Sequence, residues 1–100
     1  MAERTIIWAE VAIMQRRKVF EYWNTRNGSK EYSRKLLLEI QYRLSILTNY
    51  PEIGKQTTFP NIKALIIHCY TLFYSYNERR LEVVLFWDNR QNPTDIFKDL

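Results

Sequence analysis

The sequence predicts an α+β fold: a strand, an antiparallel helical hairpin, then a three-stranded antiparallel meander, with the helices packed on one face of a four-stranded sheet. Three observations carry this. Residues 62–87 hold three strand-like runs in succession, Ile62 to His68, Tyr70 to Tyr76 and Leu81 to Trp87. Residues 9–47 instead repeat apolar side chains at helical spacing, in two blocks parted by Asn27-Gly28. Ahead of both, Arg4-Thr5-Ile6-Ile7-Trp8 is β-branched and aromatic, which suits a first strand that joins the later three. One hundred residues, 46% apolar and 15% aromatic, suffice for one core, so residues 1–100 are expected to form a single domain.

From Ala9 the apolar period becomes helical, through Ala12, Ile13, Val19, Phe20 and Trp23, with Glu10 in the first turn where the helix dipole favours an anion. Arg16 interrupts the stripe; its aliphatic stem is expected to lie along the core with the guanidinium reaching out. Gly28 supplies a left-handed terminal residue, and Ser29 is placed to cap the second helix. That helix carries Tyr32, Leu36, Leu37, Ile40, Leu44 and Leu47 on one side and the pairs Glu31/Lys35 and Glu39/Arg43 on the other. Each pair contributes only a few tenths of a kcal/mol, whereas burying each large apolar side chain contributes roughly 1.5–3 kcal/mol. Packing therefore determines this helix.

Asn49-Tyr50-Pro51 ends the second helix, because the residue before Pro is pushed out of the helical region. Residues 52–60 read as a polar connection carrying Lys55 towards the next strand. In the last strand, strict alternation puts Leu81, Val83, Leu85 and Trp87 on one face and Glu82, Val84, Phe86 and Asp88 on the other. The link Asn77-Glu78-Arg79-Arg80 has the length and leading Asn of a hairpin loop. Arg90 then emerges where a strand ends, held by a rigid sheet and followed by Pro93, a place suited to meeting a partner.

Fifteen Lys and Arg against eleven Asp and Glu give a formal charge of +4, which favours a polyanionic partner such as nucleic acid or an acidic peptide. One Cys and one His cannot assemble a structural zinc site, and the carboxylates lack calcium-loop spacing, so no metal or other cofactor is expected. The lone Cys69 excludes internal disulfides and reads as a core residue in a reducing compartment. Met1-Ala2-Glu3-Arg4 leads into no long apolar core, and the longest aliphatic run, Ala64 to Ile67, is far short of a membrane span. A cytoplasmic protein without membrane contact is expected.

The order of elements, together with Tyr22-Trp23, Ser33-Arg34-Lys35-Leu36-Leu37, Pro51-Glu52-Ile53-Gly54-Lys55, Tyr70-Thr71-Leu72-Phe73-Tyr74 and Arg90-Gln91-Asn92-Pro93, resembles the RelE/ParE superfamily of toxins, also called the plasmid stabilisation family. The resemblance runs over nearly the whole chain. It implies a toxin of a type II toxin-antitoxin module that inhibits growth until a cognate antitoxin neutralises it, with operator DNA met only through the antitoxin complex. Two activities share this fold, so the site must discriminate. ParE-like members bind DNA gyrase and block it without being enzymes; RelE-like members enter the ribosome and cut mRNA as metal-free endoribonucleases. A third reading is a toxin-fold binding protein without toxicity.

Metal-free RNA cleavage needs cations at the scissile phosphate, a base for the 2'-hydroxyl and an acid for the leaving oxygen. Lys55, Lys63, Arg79, Arg80 and Arg90 are the candidate target- or RNA-binding cations, and Lys55, Lys63, Arg90, Tyr74 and Tyr76 the candidates for any catalytic role. Solvated loops are the plainer reading of Lys55, Arg79 and Arg80, and core or rim packing that of the strand tyrosines. For Arg90 the competing reading is a salt bridge to Asp88 or Asp95. His68, the single imidazole, alternates with Ile62, Ala64 and Ile66 and is expected on their apolar side. Nuclease members carry a Tyr or a His-Tyr pair near the C-terminus, whereas Asn92 to Leu100 contains neither, which favours the gyrase reading.

Overall fold

A computed structural model of the chain describes residues 3–91. Its elements are β1 (Thr5–Trp8), α1 (Glu10–Asn27), α2 (Glu31–Asn49), a 3-10 turn (Pro51–Ile53), β2 (Lys55–Gln56), β3 (Lys63–Ile67), β4 (Tyr70–Tyr76) and β5 (Arg80–Asp88). The expected order of strand, helical hairpin and meander is present. The sheet has five strands in the order β1-β5-β4-β3-β2, not four. The extra strand, β2, is two residues of the connection that reads as a polar loop, and it pairs antiparallel with β3. The sheet is mixed: β3, β4 and β5 form the antiparallel meander, and β1 runs parallel to β5, Thr5 beside Arg80 and Trp8 beside Val83.

Gly28 adopts φ 65°, the left-handed conformation that lets α1 stop and the chain reverse. Ser29 lies one residue before the flank of α2, which is Lys30, and accepts a long 3.4 Å bond from the Glu31 amide. Ser33 fastens the hairpin instead: its buried hydroxyl lies 2.7 Å from Asn24 Oδ1 and 3.2 Å from the Phe20 carbonyl. The Glu31/Lys35 and Glu39/Arg43 pairs form, at 3.4 and 3.0 Å. On the other side of α2, Leu36, Ile40, Leu44 and Leu47 join Tyr70, Leu72, Tyr74, Leu81, Val83 and Phe86 in the main core. Arg16 lays its guanidinium 4.4 Å from the Trp8 ring centroid, the amphipathic arrangement its place in the stripe suggests.

The alternation expected in β5 fails midway. Phe73 is paired with Leu85 but Tyr74 with Val83, so Val84 is an extra residue in β5. This β-bulge turns the remaining side chains over. Leu81, Val83 and Phe86 face the helices, while Leu85 and Trp87 join Phe73 on the opposite side. The bulge also coincides with the end of β1, since β1 pairs only as far as Val83 and the Ala9 amide bonds the Val83 carbonyl at 2.9 Å. Beyond that point α1 flanks β5, and Gln15 Oε1 accepts the Phe86 N–H at 2.8 Å.

The hairpin turns differ in how they are encoded. Asn77 Oδ1 accepts the amides of Arg79 and Arg80 at 2.8 and 2.9 Å, which organises the β4–β5 loop as its leading Asn predicts. The β3–β4 turn is His68-Cys69, with His68 at φ 54° and exposed. β3 thus ends at Ile67, and His68 does not lie on the apolar side with Ile62, Ala64 and Ile66; a two-residue hairpin turn removes it from the alternation.

Candidate functional site

The candidate cations are spread across the sheet. Lys63 on β3 lies beside Tyr74 and Gln56, and Lys55 on β2 beside Ala64. Arg79 and Arg80 lie at the start of β5, whereas Arg90 follows its end. At about 3.3 Å per residue, Arg80 and Asp88 are roughly 26 Å apart along the strand. Lys63 is level with Val83 through Tyr74, five residues before Asp88 and so roughly 17 Å along the strand from it. Arg90 is thus set off along the sheet from Lys63, Arg79 and Arg80, while Lys55 is level with Leu85 through Ala64 and Phe73.

Tyr74 is wholly buried, and both functions of its hydroxyl are used. It donates to the Pro51 carbonyl at 2.5 Å and accepts the Gly54 amide at 3.0 Å. Burial raises its pKa, against the opposing Gly54 hydrogen bond. A side chain at Gly54 would meet the Tyr74 hydroxyl at 2.5 Å and the Ala64 carbonyl oxygen at 3.0 Å, so glycine is required here by close approach. Tyr76 is 40% exposed, with the Arg4 guanidinium 5.4 Å from its ring centroid. Arg4 also donates to the carbonyls of Asn77, at 2.5 Å, and Thr48, at 3.1 Å, clamping the end of α2 to the β4–β5 loop.

Arg90 has the most developed surroundings. Its Nε donates to Asp88 Oδ1 at 2.9 Å and its Nη2 to Oδ2 at 2.7 Å, a planar two-point pair. Its backbone amide donates to the same Oδ1 at 2.9 Å, so Asp88 also shapes the turn that leaves β5. The hydrogen bonds from Arg90 hold the Asp88 carboxyl below its ordinary range and raise the guanidinium pKa in turn. Of the two salt bridges open to Arg90, that with Asp88 forms, while Asp95 lies outside the described residues, as do Asn92 and Pro93.

The guanidinium also lies 5.4 Å from the Trp23 ring and 5.8 Å from the Tyr22 ring. Trp23 is oriented by its indole N–H, which donates to Tyr70 Oη at 2.6 Å, and by Tyr32, whose ring centroid lies 4.7 Å away. Burial pushes the Tyr70 hydroxyl up to about 12, with the Trp23 bond opposing the shift. Between α1 and the end of β5, Tyr22, Trp23 and Tyr70 border a cleft of about 510 Å³, with Lys18 and Gln15 on α1 and Asp88, Arg90 and Gln91 opposite. Sequence reasoning singled out Arg90 but missed the α1 wall. Tyr22-Trp23 signalled it only as a helix ending, and Gln15, Lys18 and Tyr22 line the cleft because the β5 bulge turns that end of the strand towards α1.

Among solved structures the chain is similar to one described as "Chromosomal ParDE TA system from P. aeruginosa", with a TM-score of 0.73 and 11% identity over 86% of this chain and 96% of that one. The fold is RelE/ParE-like. No protein-family profile and no curated protein sequence matches the chain. Within this RelE/ParE-like fold the most elaborated group is the Asp88–Arg90–Trp23 cluster. No described helix is long and apolar enough to cross a membrane.

Proposed function

We propose that the chain is the toxin of a type II toxin-antitoxin module, neutralised by a cognate antitoxin, and that it acts as a ParE-like inhibitor of DNA gyrase. The RelE/ParE-like fold supports the general reading, since the similar solved structure is described as a toxin-antitoxin system. One observation favours gyrase over RNA: Arg90 stands apart from Lys63, Arg79 and Arg80 along β5, and Tyr74, the strand tyrosine nearest Lys63, has its hydroxyl committed to Pro51 and Gly54. That layout suits a surface which grips a protein better than a centre that moves two protons at one phosphate. In this reading Arg90 and the cleft beside it form part of the target-facing surface, and operator DNA is met only through the antitoxin complex.

The test is a pulse-label experiment after inducing the chain alone, with thymidine and amino-acid incorporation followed in parallel. Thymidine incorporation is expected to fall first, with a DNA-damage response, and Arg90→Ala is expected to abolish the effect while accumulating normally. An early fall in protein synthesis would transfer the target to the ribosome. Unchanged incorporation of both labels with the protein present would reject the toxin reading.

A further inference from the structure

Arg90 is the cation at the end of β5, yet in this structure its charge is spent inside the molecule. Asp88 takes three hydrogen bonds from it, two from the guanidinium and one from the backbone amide. The two partners are unequally placed: the Asp88 side chain is 14% exposed at the end of a paired strand, whereas that of Arg90 is 48% exposed. The carboxylate is therefore the fixed member and the guanidinium the one able to leave. Its resting place is prepared on the other side too, by Trp23 and Tyr22 of α1. Lys18, on the α1 wall of the same cleft, belongs to none of the ion pairs found among the described residues.

We propose that Asp88 is an internal counter-ion that holds Arg90 back against α1 and yields it only to an oxyanion able to take both guanidinium hydrogen bonds. The exchange replaces one planar two-oxygen acceptor with another, so a carboxylate or a phosphate satisfies it and a single neutral acceptor does not. The backbone bond from Arg90 to Asp88 Oδ1 lets the side chain swing while the turn stays in place. The functional part of this inference rests on Arg90 belonging to the target-facing surface; the exchange itself does not.

The experiment follows the Arg90 Nε–H resonance by NMR during titration with inorganic phosphate and, separately, with acetate. Asp88→Asn keeps an oxygen for the Arg90 amide but removes the charge, and is expected to bind the anion roughly three- to ten-fold more tightly than the wild type. Asp88→Ser serves as a second variant should the first fold poorly, and Arg90→Gln should abolish the response. A response to either anion supports the exchange, and no response of the Arg90 resonance to either one would overturn it. Equal affinity in Asp88→Asn and the wild type would overturn the proposal. In cells at matched expression, Asp88→Asn should inhibit growth more strongly than the wild type; inhibition as weak as that of Arg90→Gln would mean that Asp88 aims Arg90, and would also overturn it. Wild-type inhibition by both variants would instead remove Arg90 from the target surface, leaving the NMR result to decide the exchange.

Discussion

Asp88 and Tyr74 show how much one side chain can organise in a chain of this size. The Asp88 carboxyl is held below its ordinary range in the folded state by the hydrogen bonds from Arg90. A depressed carboxyl pKa contributes stability that is present above the unfolded value and is lost as pH falls through the folded one. Melting temperatures recorded from neutral to acid pH should therefore fall more steeply for the wild type than for Asp88→Asn below the usual carboxylate range. Parallel curves would show that the pair does not contribute. Tyr74→Phe leaves the Gly54 amide and the Pro51 carbonyl without their buried partner, and is expected to cost on the order of 1–3 kcal/mol by urea denaturation. A loss below about 0.5 kcal/mol would mean that water replaces the hydroxyl.

β5 shows how an element serves two neighbours in turn. Its first half pairs with β1; past the Val84 bulge, α1 takes over through Gln15, which satisfies the Phe86 amide. Gln15→Ala should destabilise the protein by about 1 kcal/mol. It should also accelerate hydrogen exchange at the Phe86 amide; unchanged protection there would show that the amide does not depend on Gln15. Elements with a strong local signal were legible from the residues alone: the leucine stripe of α2, the stop at Gly28 and the loop led by Asn77. β2 was not, because two polar residues carry no period and are strand only by pairing with β3. Nor was the bulge, since Val83 to Trp87 is continuously apolar and a change of face within such a run leaves no mark. His68-Cys69 lacks the Gly or Asn that announces a tight turn, which is why β3 reads one residue too far at its C-terminal end. The cleft was hidden for a different reason, being made by α1 meeting the turned end of β5 rather than by any contiguous motif.

For the molecule as a whole, the sheet is completed by a long-range pairing: the first strand lies parallel to β5, Thr5 beside Arg80. During synthesis β1 therefore waits for a partner about 75 residues behind it, which at roughly 5–20 residues per second is on the order of 4–15 s. Until then the apolar face of α2 has no completed sheet to cover. The expectation is that nascent chains arrested before Arg80 are cleaved readily by a protease, and that resistance appears abruptly once β5 has emerged. Early, gradual protection would show that the hairpin and β3–β4 form a stable unit without β1 and β5. If the chain is the growth inhibitor proposed above, its own topology delays the harmful shape until β5 has been made, leaving those seconds as an interval in which a partner already present can bind the emerging chain.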